Sequence, residues 1–142
     1  MTSAQETQDQ DHLRLLVLFH YVISALMALW GSFPLLHVAL GLAIAMGASG
    51  FGAGKEAPPA FFGWFFAGFG ALFVLVGWTL AITVFMGARA LKEHRRHTFC
   101  IVVAAIEAAT CVPFGTVLGV FTIIVLSRPT VKALFAREVP AA

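Results

Sequence analysis

Long stretches without a formal charge are the feature that most restricts the fold of this chain. Residues 15–54 and 57–88 contain no Asp, Glu, Lys or Arg, and residues 98–127 contain one, Glu107. About 20 consecutive apolar residues cross the hydrocarbon core of a bilayer as a helix. A 142-residue chain that is 60% hydrophobic and 11% charged is too small to bury such a surface in water. The sequence therefore predicts an all-α integral membrane protein.

Helix-breaking residues divide these apolar stretches. Residues 31–34, Gly-Ser-Phe-Pro, interrupt the first one, because proline disfavours helical geometry in the residue before it. A Gly/Pro-rich loop and the basic connection 89–97 provide two further breaks. We therefore expect a single four-helix transmembrane domain, residues 13–127, built as two helical hairpins. Its predicted spans are about 13–31, 34–53, 61–88 and 98–127.

The two ends of the chain differ in composition from the domain between them. Residues 1–12 form a polar, acidic N-terminal tail. In the C-terminal tail, residues 128–142, the side chains of Val131, Leu134 and Phe135 fall on one helical face. This pattern predicts a short amphipathic helix that lies on the membrane surface. An ordinary solvated tail is the alternative.

Pro113 lies inside the fourth predicted span and permits two interpretations. The preferred one is a single helix kinked at Pro113, since neighbouring groups can satisfy the backbone that a membrane proline frees. In the alternative, Pro113-Phe114-Gly115 turns the chain back as a re-entrant hairpin with arms of about 13–16 residues, shorter than a span. Four spans place five Lys/Arg on one side and four on the other, so the positive-inside rule gives no orientation. The hairpin divides them seven to two.

Apart from Arg14 at the edge of the first predicted span, Glu107 is the one formal charge inside a span, and its expected depth is close to that of His20. At 1.5 Å per residue, Glu107 lies about 15 Å past the connection 89–97, and His20 lies about 18 Å before the break at residues 31–34. In a four-span layout both breaks lie on the same face of the membrane. We predict an intramembrane Glu107–His20 pair that links two helices. A proton or small-ion path along the pair is the alternative interpretation.

Aromatic residues are concentrated at the start of the third span. Phe62, Phe66, Phe69 and Phe73 recur at helical spacing and predict one aromatic face. Contact with lipid is the simplest interpretation of this face. A surface for a protein partner is the second. A platform for a flat apolar ligand, such as a quinone or a pigment, is the third.

Small residues at four-residue spacing provide a further packing signal. The pairs Gly50 with Gly54 and Gly115 with Gly119 allow two helices to approach closely. We expect this approach within one chain, and contact between copies of the chain is the alternative.

Basic residues in the third connection predict contacts with lipid headgroups. Arg89, Lys92, Arg95 and Arg96 lie close together in the sequence, and anionic lipids attract such clusters next to a span. A net charge of +2 is too small to indicate a nucleic-acid partner. The sequence contains no catalytic motif and no metal-ligand spacing, so we expect neither enzyme activity nor a metal or cofactor.

Several strings in the chain carry a family resemblance. They are FHYV (19–22), FGWFF (62–66), GWTLAI (77–82) and PFGTVLGVFTIIVLSRPTVKALF (113–135). Over residues 12–135 the chain resembles a group of small four-span bacterial inner-membrane proteins without an assigned activity. The resemblance implies a bacterial membrane location and a four-span fold, and it implies no catalytic residue.

These features predict a non-enzymatic membrane protein. We expect it to serve as an accessory or assembly subunit of a larger membrane complex, or to form a homo-oligomer. Its expected partners are membrane lipids and a protein partner or a second copy of the chain. A small-molecule ligand on the aromatic face stays an alternative.

Overall fold

Helices provide the regular structure throughout the described part of this chain. The structure is a computed structural model, and it describes residues 2–47 and 59–137. The helices in these residues are α1 (Thr2–Ser32), α2 (Leu35–Ala45), α3 (Ala60–Lys92), α4 (His97–Thr110), α5 (Phe114–Ser127) and α6 (Pro129–Arg137). The predicted all-α fold class is therefore confirmed for the described residues.

The helices pack into two compact units. Unit 1 comprises Met1–Ala25 and Ile82–Ala142, and unit 2 comprises Leu26–Ala81. Unit 1 thus contains most of α1, the end of α3, and α4 to α6. Unit 2 contains the end of α1, all of α2 and most of α3.

Two helical stretches are long and apolar enough to cross a membrane. They are Thr7–Ala45, with a mean hydropathy of 1.8, and Ala60–Lys92, with a mean hydropathy of 2.2. The pair formed by α5 and α6, bent by 76°, would provide a third if it acts as one span. These helices are compatible with a multi-pass membrane protein, but they do not reproduce the four predicted spans.

Pro34 bends the first helical stretch without reversing the chain, contrary to the predicted hairpin between spans 13–31 and 34–53. Within unit 2, Gly31 lies against Gly77, and the carbonyl oxygen of Pro34 lies against Gly70. Residues on both sides of the break therefore follow the same partner helix. A proline removes one backbone donor and kinks a helix, and the contacts on both sides of this break keep the chain along α3. Phe33 N–H still donates to the Trp30 carbonyl at 3.0 Å.

Glycine contacts hold α2 and the first part of α3 together in unit 2. A Cβ added at Gly63 would lie 2.5 Å from the backbone nitrogen of Ala45 and 2.6 Å from the carbonyl oxygen of Gly41. A Cβ at Gly41 would meet the backbone of Ala67 in the same way. The two backbones are in direct contact here, so neither glycine has space for a side chain. Such small residues let membrane helices approach closely.

The single kinked helix predicted for residues 98–127 is wrong, because α4 ends at Thr110 and the chain turns back. Thr116 Oγ1 donates to the Ala108 carbonyl at 2.8 Å near the turn. His97 Nε2–H donates to the Leu126 carbonyl at 2.8 Å at the opposite end. These two contacts require antiparallel helices, which corresponds to the re-entrant alternative. The close approach depends on Gly119, where a Cβ would collide with the backbone of α4.

The apolar face of helix α6 packs against the protein. Val131 and Phe135, two of the three residues predicted on that face, are buried. The ring of Phe135 lies edge-on to His94 and His97, with ring centroids 5.6 and 5.2 Å apart. The helix is amphipathic as predicted, but its apolar face packs on the protein and not on a membrane surface.

Some predicted features lie outside the described residues. They are the end of the second predicted span, the Gly50–Gly54 pair, the loop around Lys55 and the last five residues of the C-terminal tail.

Replacing Gly63 with Ala should destabilise unit 2, because the added Cβ would push the backbones of α2 and α3 apart. We expect a loss of about 1–3 kcal/mol in the free energy of unfolding, typical of overpacking. Unfolding by SDS in mixed micelles, followed by circular dichroism, measures it. Gly68→Ala is the matched control, since nothing lies within 4 Å of a Cβ at Gly68. Equal effects of the two substitutions would contradict the proposed contact.

Candidate functional site

Several hydroxyl groups on the apolar helices donate to a carbonyl of their own helix. Ser24 Oγ donates to the Tyr21 carbonyl at 2.8 Å, and Thr122 Oγ1 donates to the Leu118 carbonyl at 2.7 Å. This backbone contact is available to any side chain with a proton to donate. A carboxylate only accepts, so helix carbonyls cannot satisfy it. Glu107 therefore needs a donor from another element.

The structure brings Glu107 and His20 together, as the sequence predicts. His20 Nε2 lies 3.0 Å from Glu107 Oε2. Glu107 is 0% exposed and His20 is 2% exposed. Both residues belong to unit 1, where His20 comes from α1 and Glu107 from α4. Among the described residues, neither carboxyl oxygen meets the geometry of an aligned hydrogen bond, so the contact is a close approach of the two polar groups.

The other nitrogen of His20 determines where the proton of this pair can lie. His20 Nδ1–H donates to the Leu16 carbonyl one turn earlier, at 2.8 Å. Because a carbonyl only accepts, Nδ1 carries a proton and Nε2 faces Glu107. A single proton between Nε2 and Oε2 gives either an ion pair or a neutral acid beside a neutral imidazole. Both forms have no net charge, which suits an apolar surrounding.

Helix α5 closes the site from a third side. A Cβ at Gly115 would lie 2.6 Å from the carbonyl oxygen of Glu107 and 3.3 Å from its Cγ. The absence of a side chain at Gly115 thus lets α5 lie directly on Glu107. The Gly115 and Gly119 pair serves packing within the chain, which was the expected use of that spacing.

A second buried carboxylate was missed by the sequence reasoning. Asp9, in the polar part of α1 before the charge-free segment, is buried. Arg128 Nη1 donates to Asp9 Oδ1 at 2.9 Å, and Thr130 Oγ1 donates to Asp9 Oδ2 at 2.5 Å.

The signal for Asp9 was present in the helical spacing. Asp9, Leu13, Leu16 and His20 follow one another by four, three and four residues and are all buried, which is the spacing of one helix face. The N-terminal tail predicted for residues 1–12 is the first part of α1. Extending the helix into this segment would have placed Asp9 on the buried face.

The predicted aromatic face is exposed, but its continuous part differs from the prediction. Phe61, Phe65, Phe69 and Phe73 form a row in which each ring contacts the next, with centroids 6.4, 6.1 and 4.7 Å apart. Their exposed fractions lie between 50 and 71%. Phe62 and Phe66 are also exposed, but Phe66 lies against the ring of His37, 5.4 Å away. The aromatic row therefore consists of Phe61, Phe65, Phe69 and Phe73.

The basic residues predicted to contact headgroups lie at one end of unit 1. Arg89, Lys92, Arg95 and Arg96 are all exposed. Arg89 and Lys92 belong to the last turn of α3, where a positive charge complements the helix dipole. Glu93 contacts Arg89 at 3.2 Å and Arg95 at 3.8 Å. Such exposed pairs contribute little to stability.

Comparison of the chain with protein-family models, with curated proteins and with solved structures finds no match. Residues 2–47 and 59–137 contain no group of three or more His, Cys, Asp or Glu arranged to hold a metal ion. The candidate site is therefore defined by the His20–Glu107 pair alone.

A double-mutant cycle should reveal coupling between His20 and Glu107. We expect His20→Leu and Glu107→Leu each to destabilise the protein, because each leaves the other polar group buried without its partner. The double variant should be more stable than the sum of the single effects predicts, with a coupling of about 1–2 kcal/mol. The free energy of unfolding in mixed micelles measures it.

The control cycle combines Glu107→Leu with Ser127→Ala. Ser127 donates within its own helix to the Ile123 carbonyl, at the end of α5 that lies away from Glu107. Additive effects are expected there. Additive effects in the His20 cycle would show that the contact carries no energy.

Proposed function

We propose that this chain is a non-enzymatic, multi-pass membrane protein of the bacterial inner membrane. It acts as an accessory or assembly subunit of a membrane complex, or it assembles with further copies of itself. The aromatic row on α3 is the observation that carries this proposal. Four neighbouring rings are held in contact with one another and exposed. Ordered aromatic side chains are enriched where proteins meet.

The aromatic row of unit 2 supports association of the chain through helix packing. In lipid, apolar area alone does not drive helices together, so association depends on close packing. Gly41, Gly63 and Ala67 are used inside unit 2, whereas the aromatic row faces outward. The row therefore offers a packing surface that the contacts within unit 2 leave open.

We also propose a topology that differs from four equal spans. Residues 7–45 and Ala60–Lys92 each cross once, and α4 with α5 forms a re-entrant hairpin. Each of these two helices has 14 residues, or about 21 Å, less than the roughly 30 Å of the hydrocarbon core.

This topology gives the chain an orientation. Contacts within unit 1 gather its charges at one end: Arg14 and Lys92 line one cleft, and Arg128 contacts Asp9. By chain position, eight of the nine Lys and Arg residues fall on this side, and Lys55 falls on the other. The positive-inside rule then places the charged end of unit 1 in the cytoplasm. The eight residues are Arg14, Arg89, Lys92, Arg95, Arg96, Arg128, Lys132 and Arg137.

Reporter fusions test the orientation. A fluorescent reporter that matures only in the cytoplasm should give signal at both the N-terminus and the C-terminus. A phosphatase that is active only outside the cytoplasm should be active when inserted next to Lys55. Termini on opposite sides would contradict the re-entrant hairpin and favour one continuous crossing by residues 98–127. Termini that are both outside would contradict the proposed orientation.

Site-specific photo-cross-linking tests the aromatic row as an interface. Benzoylphenylalanine in place of Phe65 should give a discrete cross-linked protein product in native membranes. Phe114 is the matched control, since it is also a phenylalanine and is 77% exposed, but it lies at the start of α5. A product at the mass of two chains would indicate self-association, and any other discrete mass would indicate a partner subunit. No product at Phe65, or the same product from both positions, would overturn the proposal.

The His20–Glu107 pair has a structural role in this proposal. Its two side chains link α1 to α4 and are enclosed by unit 1. A proton path requires entry and exit for the proton, whereas a helix linkage requires only the contact itself. The contact and its burial therefore favour the linkage over the proton or small-ion path.

A further inference from the structure

A cleft in unit 1 lies between the N-terminal part of α1 and the end of α3. Its volume is about 1,090 Å³, and its wall runs from Gln10 to Tyr21 along α1. Leu91, Lys92 and His94 complete it from the other side. From Gln10 to Tyr21 the helix rises eleven times, or about 16 Å. The cleft therefore extends along this length of α1.

The chemistry of the wall changes along this length. The end near Gln10 carries the charged side chains Arg14 and Lys92, together with Asp11. Beyond Arg14 the wall is formed by apolar residues, of which Leu15 and Leu18 are 52 and 58% exposed. A cleft with a basic end and an apolar remainder matches a molecule with an anionic head and a hydrocarbon chain.

Within residues 2–47 and 59–137, no ion pair engages the two basic side chains at this end. Among the described residues, ion pairs engage Arg89 and Arg95 with Glu93 and Arg128 with Asp9, but none engages Arg14 or Lys92. Asp11 provides one negative charge in the same cleft against these two positive charges. An anionic group bound between Arg14 and Lys92 would therefore be attracted by two positive charges that Asp11 only partly balances.

We propose that this cleft binds one anionic phospholipid. The phosphate and headgroup lie between Arg14 and Lys92, and an acyl chain lies along Leu15, Leu18 and Tyr21. This inference rests on the membrane location and orientation proposed above, and it is independent of the aromatic row and of any partner. The orientation agrees with it, because the basic end lies at the cytoplasmic leaflet, where anionic lipids are concentrated.

The position of the cleft separates it from general contacts with headgroups. Arg89, Arg95 and Arg96 line a different depression, of about 290 Å³, together with Phe85 and Phe99. Glu93 lies in that depression and already contacts Arg89 and Arg95. Arg14 and Lys92 come from different helices, which lets one phosphate group engage both. A single bound lipid with defined stoichiometry is the consequence.

Native mass spectrometry of the full-length protein in detergent micelles tests the proposal. Phosphatidylglycerol and phosphatidylcholine with the same acyl chains are added in separate titrations. The wild type should retain one phosphatidylglycerol per chain at low lipid concentration and show a clear preference over phosphatidylcholine. The variant Arg14→Gln/Lys92→Gln should lose roughly 30-fold in relative affinity for phosphatidylglycerol. Each basic residue near an anionic lipid contributes a factor of about five in affinity, and the variant removes two such residues.

Arg89→Gln/Arg95→Gln is the matched control, because it removes the same net charge outside the cleft. It should keep the preference of the wild type. Arg14→Lys should also keep most of it, since it preserves the charge. Both cleft positions are exposed, and circular dichroism of each variant verifies that the helices are intact.

Three results would overturn the proposal. They are equal retention of the two lipids by the wild type, an unchanged preference in the cleft variant, and an equal loss in the control variant. Glycerol phosphate, which has the anionic group without acyl chains, should not compete with phosphatidylglycerol. Competition by glycerol phosphate at the same concentration would show a site for a free phosphate compound instead of a lipid. If the protein could be extracted without detergent, that result would contradict the membrane location itself. Failure of the membrane location and failure of the lipid site are therefore distinguishable.

Discussion

A carboxyl group with no exposed surface needs a donor that its own helix cannot supply, and this requirement organises unit 1. Hydroxyl side chains such as those of Ser24 and Thr122 donate to carbonyls within their own helix and need no partner from a neighbouring helix. Glu107 cannot do so in its charged form. His20 Nε2 on α1 lies 3.0 Å from Glu107 Oε2, and Gly115 brings the backbone of α5 onto Glu107 from the other side. Three helices thus meet around one polar pair, in a region otherwise formed by apolar side chains.

Glycine at the contact points gives the two units the same mode of packing. In unit 2, Gly41 and Gly63 allow two helix backbones to touch, and in unit 1, Gly115 and Gly119 do the same for α4 and α5. In the proposed membrane location, lipid removes most of the hydrophobic driving force between helices, so close backbone contact and polar links supply the stability. Unit 1 has both, through its glycines and the His20–Glu107 pair. The described contacts of unit 2 depend mainly on the glycines.

Sequence reasoning predicted the helical class and the polar pair, and it failed at the two prolines. Charge-free stretches gave the apolar helices, and the third predicted span, 61–88, agrees closely with α3. Pro34 and Pro113 carry the same local signal, a break in a helix. After Pro34 the chain continues along α3, whereas at Pro113 it turns back along α4. The contacts of the glycines near each break distinguish the outcomes, since Gly31 lies against Gly77 of α3, whereas Gly115 and Gly119 lie against α4.

The depth argument predicted the His20–Glu107 pair correctly from an incorrect position of a chain reversal. It assumed a reversal at residues 31–34, which is absent. Along the helices of unit 1, His20 lies about six residues past Arg14 and Glu107 about ten residues past His97, or roughly 9 and 15 Å from the charged end. The two side chains therefore have similar depths for a different reason. Asp9 was missed because the helix was started too late in the sequence.

The short length of α4 has a consequence for the synthesis of the protein. A helix of 14 residues that carries a glutamate is a poor candidate for entering the bilayer by itself, since it neither reaches across nor hides its carboxyl group. Insertion of α4 becomes favourable once α5 has left the ribosome and can lie against α4. At that stage α1, which carries His20, has already been synthesised. The hairpin would then enter the membrane as one late step, with its timing set by the residues that follow Pro113.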